Sequence, residues 1–260
     1  MKIATFNVNG IRARAQSVLD WLAESAPDVA LLQEIKTVDE GFPREPFEDL
    51  GYNVETHGQK GFNGVAILSK LHLEDVARGL PGDEADEQAR WIEATVTGDS
   101  DAVRLCCLYL PNGNPAPGPK YDYKLAWMER LRARMETALA EETATVFAGD
   151  YNVIPQIEDA ARPERMEDDA LMLPETLASF RRMLNLGLTD AFRAREAGPG
   201  HYTYWDYFGG AFDHNHGIRI DHALLTPQAA DMLRGAWIEV GPRSRAKPSD
   251  HTPLWIELEA

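Results

Sequence analysis

The 260-residue chain lacks any apolar run near the ~18 residues that a membrane-spanning helix needs, so the expectation is a protein with no membrane partner. Cysteine is almost absent: there are only Cys106 and Cys107, side by side. Neighbouring thiols make a strained bridge at best, which excludes a disulfide framework and reads both as reduced core residues of "RLCCLYLP". That usage points to the cytoplasm. The N-terminus, "MKIATFNVNG", offers one lysine and only a strand's length of apolar residues, broken by Asn7 and Asn9, which is not the pattern of a secretion signal. Repeats, low-complexity tracts and long linkers are also missing. The stretch richest in proline and glycine, "NGNPAPGP" (112–119), reads as one surface loop before a helix. A single domain over 1–260 is expected, and 44% hydrophobic content can supply its core.

Positive charge is scarce. Lys and Arg number 26 against 42 Asp and Glu, a formal net charge of -16. Taken alone this argues against a polyanionic partner. The acids, however, are concentrated in "PGDEADEQ", "EET" and "ERMEDD", whereas "GIRARAQ" and "GPRSRAKPSDH" carry basic residues without acidic neighbours. The second places Arg243, Arg245 and Lys247 just before an Asp-His pair, where they could face an anionic ligand.

What the chain has in quantity is short β-rich runs: "KIATFN", "DVALLQ", "YNVETH", "GVAILS", "RWIEATV", "AVRLCCLYL", "ATVFAG", "IDHALLT", "AWIEV" and "PLWIEL". Helical periodicity appears at 15–25, 121–141 and 175–186. Many strands with few helices suit two sheets packed face to face with helices outside.

Polar residues stand at the ends of these runs. "KIATF" ends in Asn7, "VALLQ" in Glu34, and "LCCL" runs to Tyr109. "TVFAG" ends in Asp150 with Asn152 beyond, "GIRI" runs into Asp221 and His222, and "KPS" into Asp250 and His251. One such residue is ordinarily a turn former. Six converging ends would make a cluster of oxygen ligands with one or two imidazoles. Carboxylates so close would repel and raise one another's pKa unless a hard divalent cation intervened. Oxygen donors favour Mg²⁺ or Mn²⁺ over Zn²⁺. Asp150 and Asn152, two residues apart, can hold one water between a carboxylate and an amide, which suits attack on phosphorus. His222 directly follows Asp221, so a strand turns it to the opposite face and it reads as structural.

The blocks "FNVNGIRAR", "PDVALLQEIK", "GQKGFNGVAILSK", "LYLPNG", "GDYNVIP", "YTYWDYFGGAFDHNHGIRIDHALL" and "KPSDHTPLW" together resemble, in order, those of the exonuclease III family of abasic-site endonucleases. That family lies within the endonuclease/exonuclease/phosphatase superfamily, and the likeness runs from Lys2 to about Trp255. It implies an α/β fold: a four-layered α/β/β/α sandwich of two mostly antiparallel β-sheets flanked by helices. It implies Mg²⁺-dependent hydrolysis, with Mn²⁺ substituting, 5′ to abasic sites in duplex DNA. Exonuclease action in the 3′-to-5′ direction, cleaning of blocked 3′ ends, work at the bacterial nucleoid and no obligatory protein partner go with it.

By the same resemblance, Glu34 is the principal metal ligand with Asn7 beside it. Asp150, Asn152, Asp250 and His251 complete the candidate metal set. Asp150 and Asn152 are the water-activating pair, Tyr109 the phenol beside the scissile phosphate, and Asp221 the carboxylate that orients His251. Tyr204, Ile218 and Ile220, with Trp205 next to them, would line an apolar pocket for a flipped sugar lacking its base. Asn9, where some relatives have Asp, joins Arg90 and Lys247 as a DNA contact, and Arg243 and Arg245 fill out a basic rim. Two other readings compete: a superfamily cousin acting on lipid or inositol phosphates, and a DNA-binding descendant without catalysis. The second would be expected to lack one of Glu34, Asp150, Asn152, Asp221 or His251, and all five are present.

Overall fold

The computed structural model describes residues 1–98 and 100–260. In chain order the first half runs β1 (Lys2–Asn7), α1 (Ile11–Ser25), β2 (Val29–Gln33), α2 (Arg44–Asp49), β3 (Asn53–His57) and β4 (Val65–Ser69). The second half runs β5 (Glu74–Arg78), β6 (Trp91–Thr97), β7 (Ala102–Tyr109), α3 (Pro119–Ala140), β8 (Thr145–Asp150), α4 (Pro174–Asn185), β9 (Thr189–Asp190) and β10 (Asp221–Leu225). The chain then forms α5 (Pro227–Asp231), β11 (Leu233–Ile238) and β12 (Leu254–Leu258).

Two six-stranded sheets result, ordered β11-β12-β1-β2-β4-β3 and β5-β6-β7-β8-β10-β9. Each is antiparallel except for one central parallel pair, β1 with β2 and β7 with β8. A parallel pair needs a crossover, and here α1 and α3 supply it. Four strands of each sheet, β1-β2-β4-β3 and β7-β8-β10-β9, therefore share one connectivity, although no sequence repeat announces it.

Alternation along the strands fills three apolar layers. Ile3 of β1, Leu31 of β2, Leu105 of β7 and Val146 of β8 meet between the sheets. Phe6 and Leu32 point outward onto Trp21 and Leu22 of α1. Phe147 and Leu224 point outward on the other side onto Leu131 of α3 and Phe180 of α4. The sequence of layers is helix, sheet, sheet, helix, as the resemblance implied. Both faces of both sheets are covered, which explains why so many strands read as unbroken apolar runs.

The crossovers also position the functional ends. In parallel β-α-β units the carboxyl ends of neighbouring strands lie together, and ligands bind beyond them. Asn7 ends β1 and Glu34 follows β2 in one sheet; Tyr109 ends β7 and Asp150 ends β8 in the other. The four ends face the same edge of the sandwich.

Candidate active site

Strand register explains how residues far apart in sequence arrive at one place. Tyr109 of β7 lies opposite Asp150 of β8, and Asp150 opposite Asp221 of β10. Cross-strand partners share a face, so the three side chains form one row. Gly149, just before Asp150, allows the strands to approach: a Cβ there would sit 1.9 Å from the Leu108 carbonyl oxygen. Outside the sheets, single bridges pair Ile218 with Tyr204 and Tyr204 with His251, making a second row beside the first.

The side chains are linked by hydrogen bonds. Asn7 Nδ2 donates to Glu34 Oε1 and to Asp150 Oδ2, both at 2.9 Å. Asn7 Oδ1 accepts from the Asn9 backbone, which fixes the amide's orientation. Asp150 Oδ1 accepts from the Asn152 N–H at 2.9 Å. His251 Nδ1 lies 2.8 Å from Asp221 Oδ2, and its Nε2 is 3.7 Å from Asp150 Oδ2. The Tyr204 ring meets His251 edge to face at 5.1 Å between centroids. Asn152 adopts a left-handed backbone (φ 48°), turning its side chain toward Asn112, which donates to its Oδ1 at 3.0 Å.

Charge in this cluster is unbalanced. Burial raises the Asp150 pKa, and the neighbouring Asp221 and Glu34 charges add to that against the pull of His251. Burial alone would lower the His251 pKa, but Asp221 and Asp150 outweigh it and keep the imidazole protonated. Burial likewise opposes ionisation of Glu34; the hydrogen bonds from Asn7 and Lys36 and the charges of Lys36 and His251 prevail and hold it below the ordinary carboxylate range. Tyr109 is half-buried beside Glu34 and Asp150; burial and those two charges raise its pKa, so the phenol stays protonated and donates to an anion. Three carboxylates around one imidazolium leave a surplus of negative charge, which a divalent cation would offset.

Oxygen donors of Glu34 and Asp150, facing one amide, fit a hard cation. Asp150, Asp221 and His251 also bring one donor atom each within 4.8 Å of one another. His251 meets Asp221 through Nδ1, and its Nε2 faces Asp150. Asn152 Oδ1 accepts from Asn112 and its Nδ2 donates to the Leu110 carbonyl, which fixes the amide at the edge of the cluster. Asp250 sits at the edge of the cleft and accepts from Asn9 Nδ2 at 3.0 Å.

These groups open onto a cleft of about 640 Å³, whose apolar wall includes Tyr204, Ile218 and Ile220. Trp205 does not belong to it. The residue is buried with Tyr202 and Ala211, and its Nε1 donates to Asn215. Alternation turns it away from its neighbour Tyr204. Four other expected contacts are engaged within the protein. Arg90 lies over the Tyr109 ring at 4.8 Å and donates to Gln88 and to the Tyr109 carbonyl, so it braces that phenol. Arg243 is buried between the Tyr207 and Phe212 rings, and Arg245 pairs with Glu24. Asn9 spends its amide on Asp250, Tyr207 and Lys36, ordering the rim. Lys247 remains exposed, with no hydrogen bond or ion pair to the described residues.

The cations that line the cleft are instead Arg162 and Arg165. Arg162 bonds His216, and Arg165 is exposed and free of ion pairs among the described residues. Arg162 stands just before "ERMEDD" and Arg165 within it, a stretch that reads from composition as an acidic run. A second cleft, about 630 Å³, lies under α3 among Arg104, Arg130 and Arg134, but these arginines are paired with Glu93 and Asp86.

Behind the pocket, Arg219 projects from between Ile218 and Ile220 into the core. It pairs with Asp159 and Asp190 and donates to His222 Nδ1. His222 Nε2 donates to the Val153 carbonyl, so the ring is neutral. Burial first, then the Arg219 charge, lowers its pKa from 6.5 to about 4. The unfolded chain therefore binds this proton before the folded one does. The stability this neutral ring supports is present above pH 6.5 and lost as pH falls toward 4. About 3 kcal/mol should disappear across that window relative to a His222→Gln variant. Denaturant melts of both proteins from pH 7 to 4 check this; a constant difference would contradict it.

The sequence profile of the Endonuclease/Exonuclease/phosphatase family matches residues 4–251. An exodeoxyribonuclease III of Haemophilus influenzae is 35% identical over 267 aligned residues, covering all of both chains. The structure of an AP endonuclease from Archaeoglobus fulgidus superposes with a TM-score of 0.94 at 36% identity, again over the whole of both chains. A 3′ phosphatase from Neisseria, solved with a product DNA hairpin, matches equally well at 34% identity and full coverage of both.

Proposed function

Because the chain belongs to the endonuclease/exonuclease/phosphatase family, we propose that it is a Mg²⁺-dependent DNA-repair hydrolase cutting 5′ to abasic sites in duplex DNA. Trimming of 3′ ends, as exonuclease and as phosphatase, is the companion activity, and the cytoplasm is its place of work. One observation carries the reading: Asp150 and His251, the latter backed by Asp221, share one cleft with the apolar wall of Tyr204, Ile218 and Ile220. A hydrolytic set beside an apolar pocket selects a sugar that has lost its base.

In this reading Glu34 and Asp150 hold the ion, which when bound neutralises charge on the phosphate. Asp150 takes hold of the attacking water and draws off its proton. The His251 imidazolium, kept charged by Asp221, donates to a phosphoryl oxygen. Tyr109 donates to the phosphate from the other side of the row, steadied by Arg90. Asn152, fixed by Asn112, offers its remaining amide hydrogen toward the reacting centre. These donors act where charge builds up in the transition state.

Arg162, Arg165 and Lys247 hold the DNA phosphates that an acidic surface otherwise repels. Replacing Arg162 or Arg165 with alanine should weaken binding to abasic and intact duplex alike. Each should flatten the plot of log Kd against log salt by about 0.9 for every phosphate that the arginine neutralises. Fluorescence anisotropy over a salt series with both duplexes measures this; an unchanged slope removes that arginine from the interface. Rates on abasic duplex, intact duplex and an inositol phosphate decide the substrate class. Preference for the inositol phosphate would overturn the DNA reading.

A further inference from the structure

Lys124 is buried in α3, at 0% exposure, in a stripe otherwise made of Tyr121, Trp127, Met128 and Leu131. A charge in such a place is costly unless it is paired or fully hydrogen-bonded. No carboxylate among the described residues forms an ion pair with it. Its Nζ instead donates to two backbone carbonyls, Asn112 at 3.0 Å and Asn152 at 2.6 Å. Neither carbonyl has another partner among the described hydrogen bonds. Gly113 is shaped around the lysine stem: a Cβ there would lie 2.7 Å from Lys124 Cδ, and its φ is +91°.

The two carbonyls belong to the two loops that follow the central strands of the second sheet. The loop after β7 carries Asn112, and the loop after β8 carries Asn152 in its left-handed conformation. Above the lysine the same residues are tied by their side chains, Asn112 Nδ2 to Asn152 Oδ1. Asn152 Nδ2 reaches back to the Leu110 carbonyl, and the Leu110 N–H donates to the Asp150 carbonyl. Lys124 therefore closes the underside of a ring whose upper side is the catalytic row. An apolar side chain would fill the stripe as well, but could not hold two carbonyls together.

We infer that Lys124 is a positioning residue, clipping the Asn112 and Asn152 loops from beneath so that the Asn152 amide meets the reacting phosphate in register. It rests on the reading of the cleft as a phosphodiesterase site. Being wholly buried, it touches no DNA, so its effect belongs to kcat and not to binding.

The test uses Lys124→Met, which keeps the stem's volume and removes the donor. With abasic duplex, kcat should fall about 10- to 100-fold, the scale of a small misplacement of reacting groups. KM, Kd and the salt slope should stay within about twofold of wild type, unlike the arginine variants. In an Asn152→Ala background the same change should cost nothing further, because a residue acting through Asn152 has nothing left to position. Thermal melting confirms that the variants are folded, and Lys124→Gln serves if the methionine form is not. Wild-type kcat in a folded variant, or a double variant losing the product of both single losses, would overturn the inference. A wild-type protein inactive on every phosphodiester tested would instead overturn the reading on which it rests.

Discussion

Asp150→Asn lowers kcat on abasic duplex by at least ~10²-fold, with His251→Ala losing a comparable factor, the scale of a removed acid–base or charge-stabilising group. The asparagine is nearly isosteric but wrong in two ways. It cannot accept a proton from water. It also places an NH₂ opposite one of its present donors, since Asp150 accepts from both Asn7 Nδ2 and the Asn152 N–H. His251 loses one of the carboxylate charges that keep it protonated. DNA affinity should hold or tighten, because a negative charge leaves the cleft. Single-turnover rates with anisotropy on the same duplex separate the two effects. Near-normal kcat in either variant would remove that residue from the mechanism.

The second large effect is metal removal. Exhaustive chelation should reduce cleavage by at least ~10³-fold, several kcal/mol of lost charge stabilisation, and added Mg²⁺ or Mn²⁺ should restore it. The reason lies in the three carboxylates of Glu34, Asp150 and Asp221 around one imidazole; burial first, and then the Asp221 and Glu34 charges, raise the Asp150 pKa. Glu34→Ala should raise the Mg²⁺ concentration needed for half-maximal rate far more than it changes Kd for DNA. Full activity after chelation, or a Glu34→Ala protein with an unaltered metal requirement, would contradict the assignment.

How much of this was visible in the sequence depends on whether a residue's role is set by its own strand or by a distant partner. The polar ends at Asn7, Glu34, Tyr109 and Asp150 stand out because each terminates an apolar run, and strand ends in parallel units converge; Asp221 joins them by opening β10, antiparallel to β8. The alternation that placed His222 on the far face applies equally to Trp205, and would have removed it from the pocket. Arg90, Arg243 and Arg245 read as free cations because their partners, the Tyr109, Tyr207 and Phe212 rings and Glu24, are not their local neighbours. Arg162 and Arg165 were hidden by the acids beside them. Lys124 was hidden in the opposite way, as one polar letter in a helical stripe whose face only tertiary packing defines. Strand β5, "EDVAR", lies mostly exposed at a sheet edge and carries no alternation, so nothing in it signals a strand. The doubling of one connectivity in the two sheets left no sequence repeat to find.

The most direct test of the central claim, that a water held at Asp150 attacks the phosphorus 5′ to an abasic sugar, is isotopic. A duplex with one natural abasic site is cut once in H₂¹⁸O with Mg²⁺, and both new ends are weighed by mass spectrometry. The account predicts an unmodified 3′-hydroxyl on the upstream strand and one ¹⁸O in the 5′-phosphate of the abasic fragment. An unlabelled phosphate with an unsaturated sugar at the upstream 3′ end would show elimination, and would contradict it.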